Sequence, residues 1–178
     1  DFKSDAYYKN FDTNKHTTIL NNEISWNPGS YITQTGFVNT LEGQIRNTNY
    51  EARKTNNYKT DDVVNEVSGV LSYKASLPLE KEGTNYLNFF SPNFMIRYAP
   101  GHMRNLSGDG IDLNYANLYS LNRTSEIEDG LSTVLGFDFK TNQKDKEGNN
   151  KEKLSLSMGQ VFNVEDNKDL PSKSSLDQ

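Results

Sequence analysis

The chain has 178 residues, a net charge of -5 and no cysteine; 33% of its residues are hydrophobic, 11% are aromatic, and its mean hydropathy is -0.83. This excludes helical membrane spans, which need roughly 20 consecutive apolar residues, and also disulfides and thiolate metal sites within the chain; with no basic stripe it gives no hint of nucleic-acid binding, and none is expected. The aromatic content argues against disorder, leaving a β-rich soluble module or a transmembrane β-barrel, whose alternation of lipid-facing and lumen-facing residues makes the average look polar.

Two-residue alternation marks seven strands, because successive strand side chains point to opposite faces. The first, residues 2–8, puts Phe2, Ala6 and Tyr8 on one face. The second, 17–26, sets Leu20, Ile24 and Trp26 against Asn21, Glu23 and Ser25, and Asn27-Pro28-Gly29-Ser30 reads as a tight turn. The third, 31–50, sets Tyr31, Phe37, Leu41 and Ile45 against Gln34, Thr40, Glu42, Gln44 and Arg46.

The fourth, 63–79, is the clearest. Val63, Val67, Leu71, Tyr73, Ala75, Leu77 and Leu79 share one face; Val64, Glu66, Ser68, Val70, Ser72, Lys74 and Ser76 share the other. The fifth, 86–98, is apolar at Tyr86, Phe90, Phe94, Ile96 and Tyr98, and Pro92 predicts a bulge or a local loss of pairing. After a long loop, 99–129, the sixth sets Leu131, Thr133, Leu135, Phe137 and Phe139 against Ser132, Gly136, Asp138 and Lys140. The seventh sets Leu154, Leu156, Met158, Phe162 and Val164 against Lys153, Ser155, Ser157, Gly159 and Asn163.

Long and shorter connections roughly alternate, as in outer-membrane barrels. Residues 9–16, 51–62 and 99–129 are placed outside, and 27–30, 80–84 and 141–152 on the periplasmic side. Sandwich strands usually run nearer 5–6 residues, so the length of the third and fourth strands favours the barrel. The expected fold is all-β, an antiparallel transmembrane barrel fragment of about seven meander strands. It is an open curved sheet with two unpaired edges, and residues 1–178 form part of one barrel domain with no second domain. Both termini read as arbitrary cuts. Trp26, Tyr31, Tyr73, Tyr86, Tyr98 and Phe139 lie near strand ends, where an aromatic girdle would sit.

Catalytic chemistry has no foothold. His16 and His102 fall in predicted loops without metal-ligand spacing, and residues 108–112 lack the ligand series of a calcium loop. There is no nucleophile elbow or phosphate loop. No catalytic residue, metal or cofactor is expected.

One stretch is more specific. Leu71-Ser72-Tyr73-Lys74-Ala75-Ser76-Leu77-Pro78-Leu79 is followed by Phe90-Ser91-Pro92 and Ile96-Arg97-Tyr98-Ala99-Pro100. Then come Asp112, Asn117-Leu118-Tyr119, Asn122-Arg123, the acidic segment ending in Gly130, the Gly159-Gln160 strand and Leu170-Pro171-Ser172. In order and spacing these resemble the barrel domain of the lipopolysaccharide-assembly family LptD, over residues 71–172. Tyr119 stands where Phe is usual, and Thr124-Ser125-Glu126 replaces the family's expected residues after Asn-Arg. Residues 1–70 match only in general strand character.

The resemblance implies a large outer-membrane barrel of a Gram-negative bacterium with a periplasmic N-terminal domain. An LptE-type lipoprotein plugs such a barrel, and a periplasmic bridge protein delivers lipopolysaccharide to it for insertion into the outer leaflet. That is transport, not covalent chemistry. Candidate lumen or lipopolysaccharide-facing residues are Glu42, Gln44, Arg46, Glu66, Ser68, Ser72, Lys74, Ser76, Asp138 and Lys140. Arg46, Lys74 and Lys140 either touch phosphates transiently, weakened by the carboxylates, or are solvated lumen residues. The 99–129 loop either caps the lumen, contacts the plug or is a solvated external loop. The alternatives in function are another outer-membrane barrel, such as a porin or receptor-type transporter, and a soluble β-rich carbohydrate or adhesion module.

Overall fold

The computed structural model describes residues 1–11, 15–54, 62–101, 103, 113–124, 126–144, 149–167 and 169–170. The strands are β1 (Phe2–Phe11), β2 (Lys15–Trp26), β3 (Ser30–Ile32), β4 (Val38–Arg53), β5 (Val63–Ser76), β6 (Leu79–Glu82), β7 (Tyr86–Ala99), β8 (Gly130–Lys144) and β9 (Asn150–Asn163). They form one nine-stranded antiparallel sheet in the order β1-β2-β4-β5-β7-β8-β9, with β3 beside β4 and β6 beside β7. Among the described residues no helix is long and apolar enough to cross a membrane. The sheet is an open, all-β segment of barrel type, with β1 and β9 at its edges.

The seven expected strands are the seven on this path, and the two short ones are their continuations. Trp26 faces Gly43 and Ser30 faces Thr40. The stretch Asn27-Pro28-Gly29 therefore spans one more residue than Leu41-Glu42 opposite it, which is the geometry of a bulge. This corrects the turn expected at 27–30. Asn27 Oδ1 accepts from Gly29 N at 2.9 Å, and Gly29 has φ 96°. The strand then runs on, and the chain reverses at Thr33–Gly36, where Thr33 N donates to Phe37 O at 2.9 Å and Gly36 takes φ 87°. Residues 31–50 are thus two strands and a turn rather than one strand.

β5 and β6 are likewise one strand interrupted. Ser76 faces Asn93 and Leu79 faces Phe90, so Leu77 and Pro78 lie opposite Pro92 and Ser91 in an unbroken count. Each proline removes a ladder donor, and the Leu77 N–H to Pro92 O bond at 3.2 Å spans the gap. The expected 80–84 connection tightens to Gly83–Asn85, closed by Gly83 N donating to Tyr86 O at 2.8 Å. Strand also replaces loop at 9–11, 15–16, 51–53, 141–144 and 150–152. His16 accordingly lies in β2, its Nε2 3.7 Å from Glu51 Oε1, and not in a loop. His102 lies outside the described residues.

Alternation sorts the side chains as expected. One face is bare: Phe2, Leu20, Ile24, Trp26, Leu41, Ile45, Val67, Leu71, Tyr73, Phe90, Ile96, Tyr98, Leu131, Leu135, Leu156, Met158 and Phe162 are all exposed large hydrophobics. Tyr31 and Tyr86 are exposed as well, and with Phe139 they take the same face, so all six girdle candidates point that way. A soluble sheet would bury such a row. Its runs, for example 131–139 on β8 and 90–98 on β7, match the roughly 9–11 residues a tilted strand needs to cross a hydrocarbon layer, giving a belt of roughly 25 Å. Replacing Leu135, 49% exposed at the centre of its run, with Arg is expected to cost about 2–4 kcal/mol in a bilayer, read as a lower urea midpoint for the vesicle-inserted barrel.

Candidate functional site: a wall covered by its own loop

The opposite face carries the polar residues, and the described part of the long loop lies on it. Three apolar clusters join them. Leu113, Tyr115, Leu118 and Tyr119 pack on Met95, Val134 and Val161. Leu121 and Ile127 pack on Val70 and Ala99. Met103, with Leu113 and Val161, meets Leu170 beyond β9. Met95 and Val134 are 0% exposed as a result. A loop that buries side chains on the wall is a covering, which removes the solvated external loop from the alternatives for its described residues.

The loop holds its own shape first. Asn114 O accepts from Asn117 N at 3.2 Å and from Leu118 N at 3.1 Å, while Asn114 N donates to Asn117 Oδ1 at 2.9 Å and Asn114 Oδ1 accepts from Ala116 N at 2.9 Å. Asparagine favours such local turns because its amide bonds nearby backbone. The turn presents Leu118 and Tyr119 to the wall, where the wall has no side chain. A Cβ on Gly136 would meet Met158 O, Tyr119 Oη and, at 2.8 Å, Gly159 Cα; a Cβ on Gly159 would meet Leu118 Cδ2. The two glycines, register partners on β8 and β9, are the floor on which the loop rests. Burial, then Tyr115 and the charge of Asp138, holds the Tyr119 phenol above its ordinary pKa, so it sits there neutral.

Charged and amide groups then fasten the loop. Arg97 on β7 is 1% exposed, and its Nε donates to Leu121 O at 2.7 Å. Arg123 Nη2 donates to Glu128 Oε2 at 2.8 Å and to Ser132 Oγ at 2.9 Å. Asn122 Nδ2 donates to Gln44 Oε1. Arg46 donates through Nε and Nη2 to Glu23 Oε2 at 3.1 and 2.9 Å, and through Nη1 to Glu126 Oε2 at 3.1 Å. The guanidinium fork suits this double duty, since its donors leave in fixed directions.

The candidate lumen residues all occupy this face. Lys74 pairs with Glu42 at 2.6 Å and Lys140 with Glu152 at 2.7 Å. Tyr50 Oη donates to Glu66 Oε1 at 3.1 Å. Asp138 accepts from Asn93 Nδ2 at 2.7 Å and from Ser157 Oγ at 2.6 Å. Ser72 and Gln44 are buried under the loop, and Ser68 and Ser76 share their face. Each of the three cations considered for phosphate contact thus has a carboxylate beside it. Gln44 and Arg46 belong to the loop's fastening.

The motif positions divide by task. Pro78 and Pro92 make the shared gap. Arg97, Asn117, Leu118, Asn122 and Arg123 hold the loop, Gly159 floors it, and Gly130, at φ 90°, turns it into β8. Tyr98 and Gln160 point to the bare face, Pro100 follows β7, and Asp112 lies outside the described residues. Sequence reasoning missed Glu23, Glu126, Glu128 and Ser132. Glu23 and Ser132 stood only as members of the expected polar rows, and Glu126 and Glu128 only as part of the acidic segment before Gly130.

A family model described as LptD, LPS transport system D, matches residues 1–178, the whole chain. No curated protein matches it.

Proposed function

The chain belongs to the LptD family of the lipopolysaccharide transport system, and from that premise we propose that it is one sector of the barrel wall through which lipopolysaccharide is inserted into the outer leaflet of the Gram-negative outer membrane. On this reading residues 1–178 are part of a single barrel domain, and the end with the long connections, around residues 54–62 and 100–129, faces outside. The observation that carries it is the division of one sheet between an apolar bare face and a polar face paved with ion pairs and covered by a loop. The cargo, a phosphorylated glycolipid, would travel past the second. An LptE-type plug would complete the lumen, and a periplasmic bridge protein would supply the lipid through the N-terminal domain. The role is conduction, with no bond made or broken by this chain.

The phosphate contact proposed for Arg46, Lys74 and Lys140 is weak, because each charge is already opposed by a carboxylate. Depleting the full-length protein is expected to stop pulse-labelled lipopolysaccharide from reaching the cell surface, and continued arrival would reject the function. Complementing the depleted cells with Arg46→Ser, Lys74→Ser protein is expected to lower export by less than about two-fold for weak, solvent-screened contacts. Wholly unchanged export would reject the phosphate role alone.

A further inference from the structure

The bare face is not apolar to its end. On β4 the side chains that point outward run Leu41, Ile45, then Asn47, Asn49, Glu51 and Arg53 toward the long-connection end. On β5 Asn65 stands opposite Asn49, and on β2 Asn22 stands opposite Asn47. The apolar belt is continuous up to the row Ile24–Ile45; beyond it amides stand beside single apolar side chains, Val67 opposite Asn47 and Leu20 opposite Asn49.

Three of these amides close a ring. Asn47 Nδ2 donates to Asn65 Oδ1 at 3.2 Å, Asn65 Nδ2 donates to Asn49 Oδ1, and Asn49 Nδ2 donates to Asn47 Oδ1 at 2.6 Å. Beside the ring, Ser4 Oγ donates to Asn22 Oδ1 at 2.7 Å. A primary amide has two N–H donors and an oxygen with two lone pairs. The ring uses one donor and one acceptor site of each, and Asn47 spends its second N–H on Glu66 O at 3.5 Å, so the side chains are fixed while Asn49 and Asn65 keep an N–H and all three oxygens keep a lone pair. Further along β4, about 14 Å beyond Asn49 at the strand's rise, Arg53 is exposed and carries no carboxylate partner among the described residues.

We propose that the Asn47–Asn49–Asn65 ring, with Arg53 above it, is a docking patch for the sugar-phosphate headgroup of lipopolysaccharide already resident in the outer leaflet. The inference rests on the proposed function for its orientation: only if the long-connection end faces outside does the patch meet glycolipid. Outward from the continuous belt the surface changes in the order such a lipid does: acyl chains at Ile24 and Ile45, sugar hydroxyls at the ring and phosphate at Arg53, with the intervening Glu51 carboxylate set beside His16 Nε2 at 3.7 Å. Pre-fixed amides recognise sugar hydroxyls with little ordering cost, and a guanidinium supplies charge-assisted bonds to phosphate. The patch lies on the outside of the barrel, apart from the conduit.

The test uses the full-length barrel in mixed vesicles of phospholipid and lipopolysaccharide, extracted in mild detergent. Native mass spectrometry then counts the lipopolysaccharide and phospholipid molecules retained. The triple variant Asn47→Ala, Asn49→Ala, Asn65→Ala is expected to retain about five-fold less lipopolysaccharide, the scale of a few lost exposed hydrogen bonds, with phospholipid retention unchanged. Wild-type retention, or an equal loss of both lipids, would overturn the proposal. Should the triple variant lack the heat-modifiable band of a folded barrel, Asn65→Asp decides. It matches the amide in size, gives up the bond to Asn49 Oδ1, sets a negative charge against phosphate, and is expected to lower lipopolysaccharide retention alone. Surface delivery after depletion reads the transport function separately, so either idea can fail without the other.

Discussion

Gly136→Val is expected to drive the 113–124 segment off the wall and to destabilise the barrel by about 3–5 kcal/mol, above the usual ~1–3 kcal/mol of overpacking. Two of the atoms in the way, Met158 O and Gly159 Cα, are backbone of the paired strand, so no rotamer change makes room. The third, Tyr119 Oη, belongs to the loop and has no hydrogen-bond partner among the described residues to hold it against the added methyl groups. Limited proteolysis reads the result: cleavage between residues 113 and 124 in the folded, membrane-inserted protein, where the unsubstituted chain resists. Gly159→Ala serves as a graded control, because its obstacle, Leu118 Cδ2, is the end of a flexible side chain. Equal protease resistance in Gly136→Val would show that the loop does not rest on the glycine floor.

The second large effect is expected at Glu128. Its carboxylate pairs with Arg123, whose side chain is 1% exposed, at 2.8 Å; Glu128 itself is 3% exposed. Arg123 Nε and Nη1 have no hydrogen-bond partner among the described residues, and Arg97 lies close enough to feel both charges. Glu128→Gln would leave two buried guanidinium groups with their main compensation gone, a loss of about 3–5 kcal/mol for a broken buried pair. It should appear as a lower urea midpoint together with faster cleavage of the loop. Replacing both partners, Arg123→Met with Glu128→Leu, is expected to recover most of the midpoint, since an apolar pair carries no desolvation penalty. The half-exposed Lys140–Glu152 pair provides the contrast, as Glu152→Gln should change stability by less than about 1 kcal/mol. A Glu128→Gln protein as stable as the parent would mean that packing at Leu118 and Ile127 holds the loop without the ion pair.

Alternation made the two faces legible in advance. The row Val67, Leu71, Tyr73 could be assigned to lipid from sequence because a strand between lipid and water must repeat every two residues. The lumen candidates followed by parity alone, and Glu42, Gln44, Arg46, Glu66, Ser72, Lys74, Asp138 and Lys140 lie on the expected face. Parity fails where the backbone departs from it. Pro28-Gly29 carries the strongest local turn signature in the chain, yet it forms the bulge, while Thr33–Gly36, marked only by Gly36, makes the reversal. A proline-glycine pair suits both, and the choice is set by how β4 pairs, which no local window contains.

The loop's partners were hidden for the same reason. Arg46 and Glu126 are 80 positions apart, and Asn122 reaches Gln44 across 78. Contacts of that range depend on register in four strands at once. Specific motif residues were recognisable only from Leu71 onward, whereas the family match covers the first seventy residues too. There the chain offers strand character and little else, because a wall that meets lipid on one side and a wet lumen on the other needs periodicity more than particular residues.

The gap shared by Pro78 and Pro92 restricts how this wall can vary in length. Its spacer is an even number of residues on a strand that resumes in step, so Leu79 still greets the bilayer and Glu80 the interior. A single added or lost codon there would turn the remaining hairpin inside out, exchanging oil-loving and water-loving groups up to Glu82. Changes of length at this point are therefore tolerated only in twos, or in company with a new kink that restores the beat.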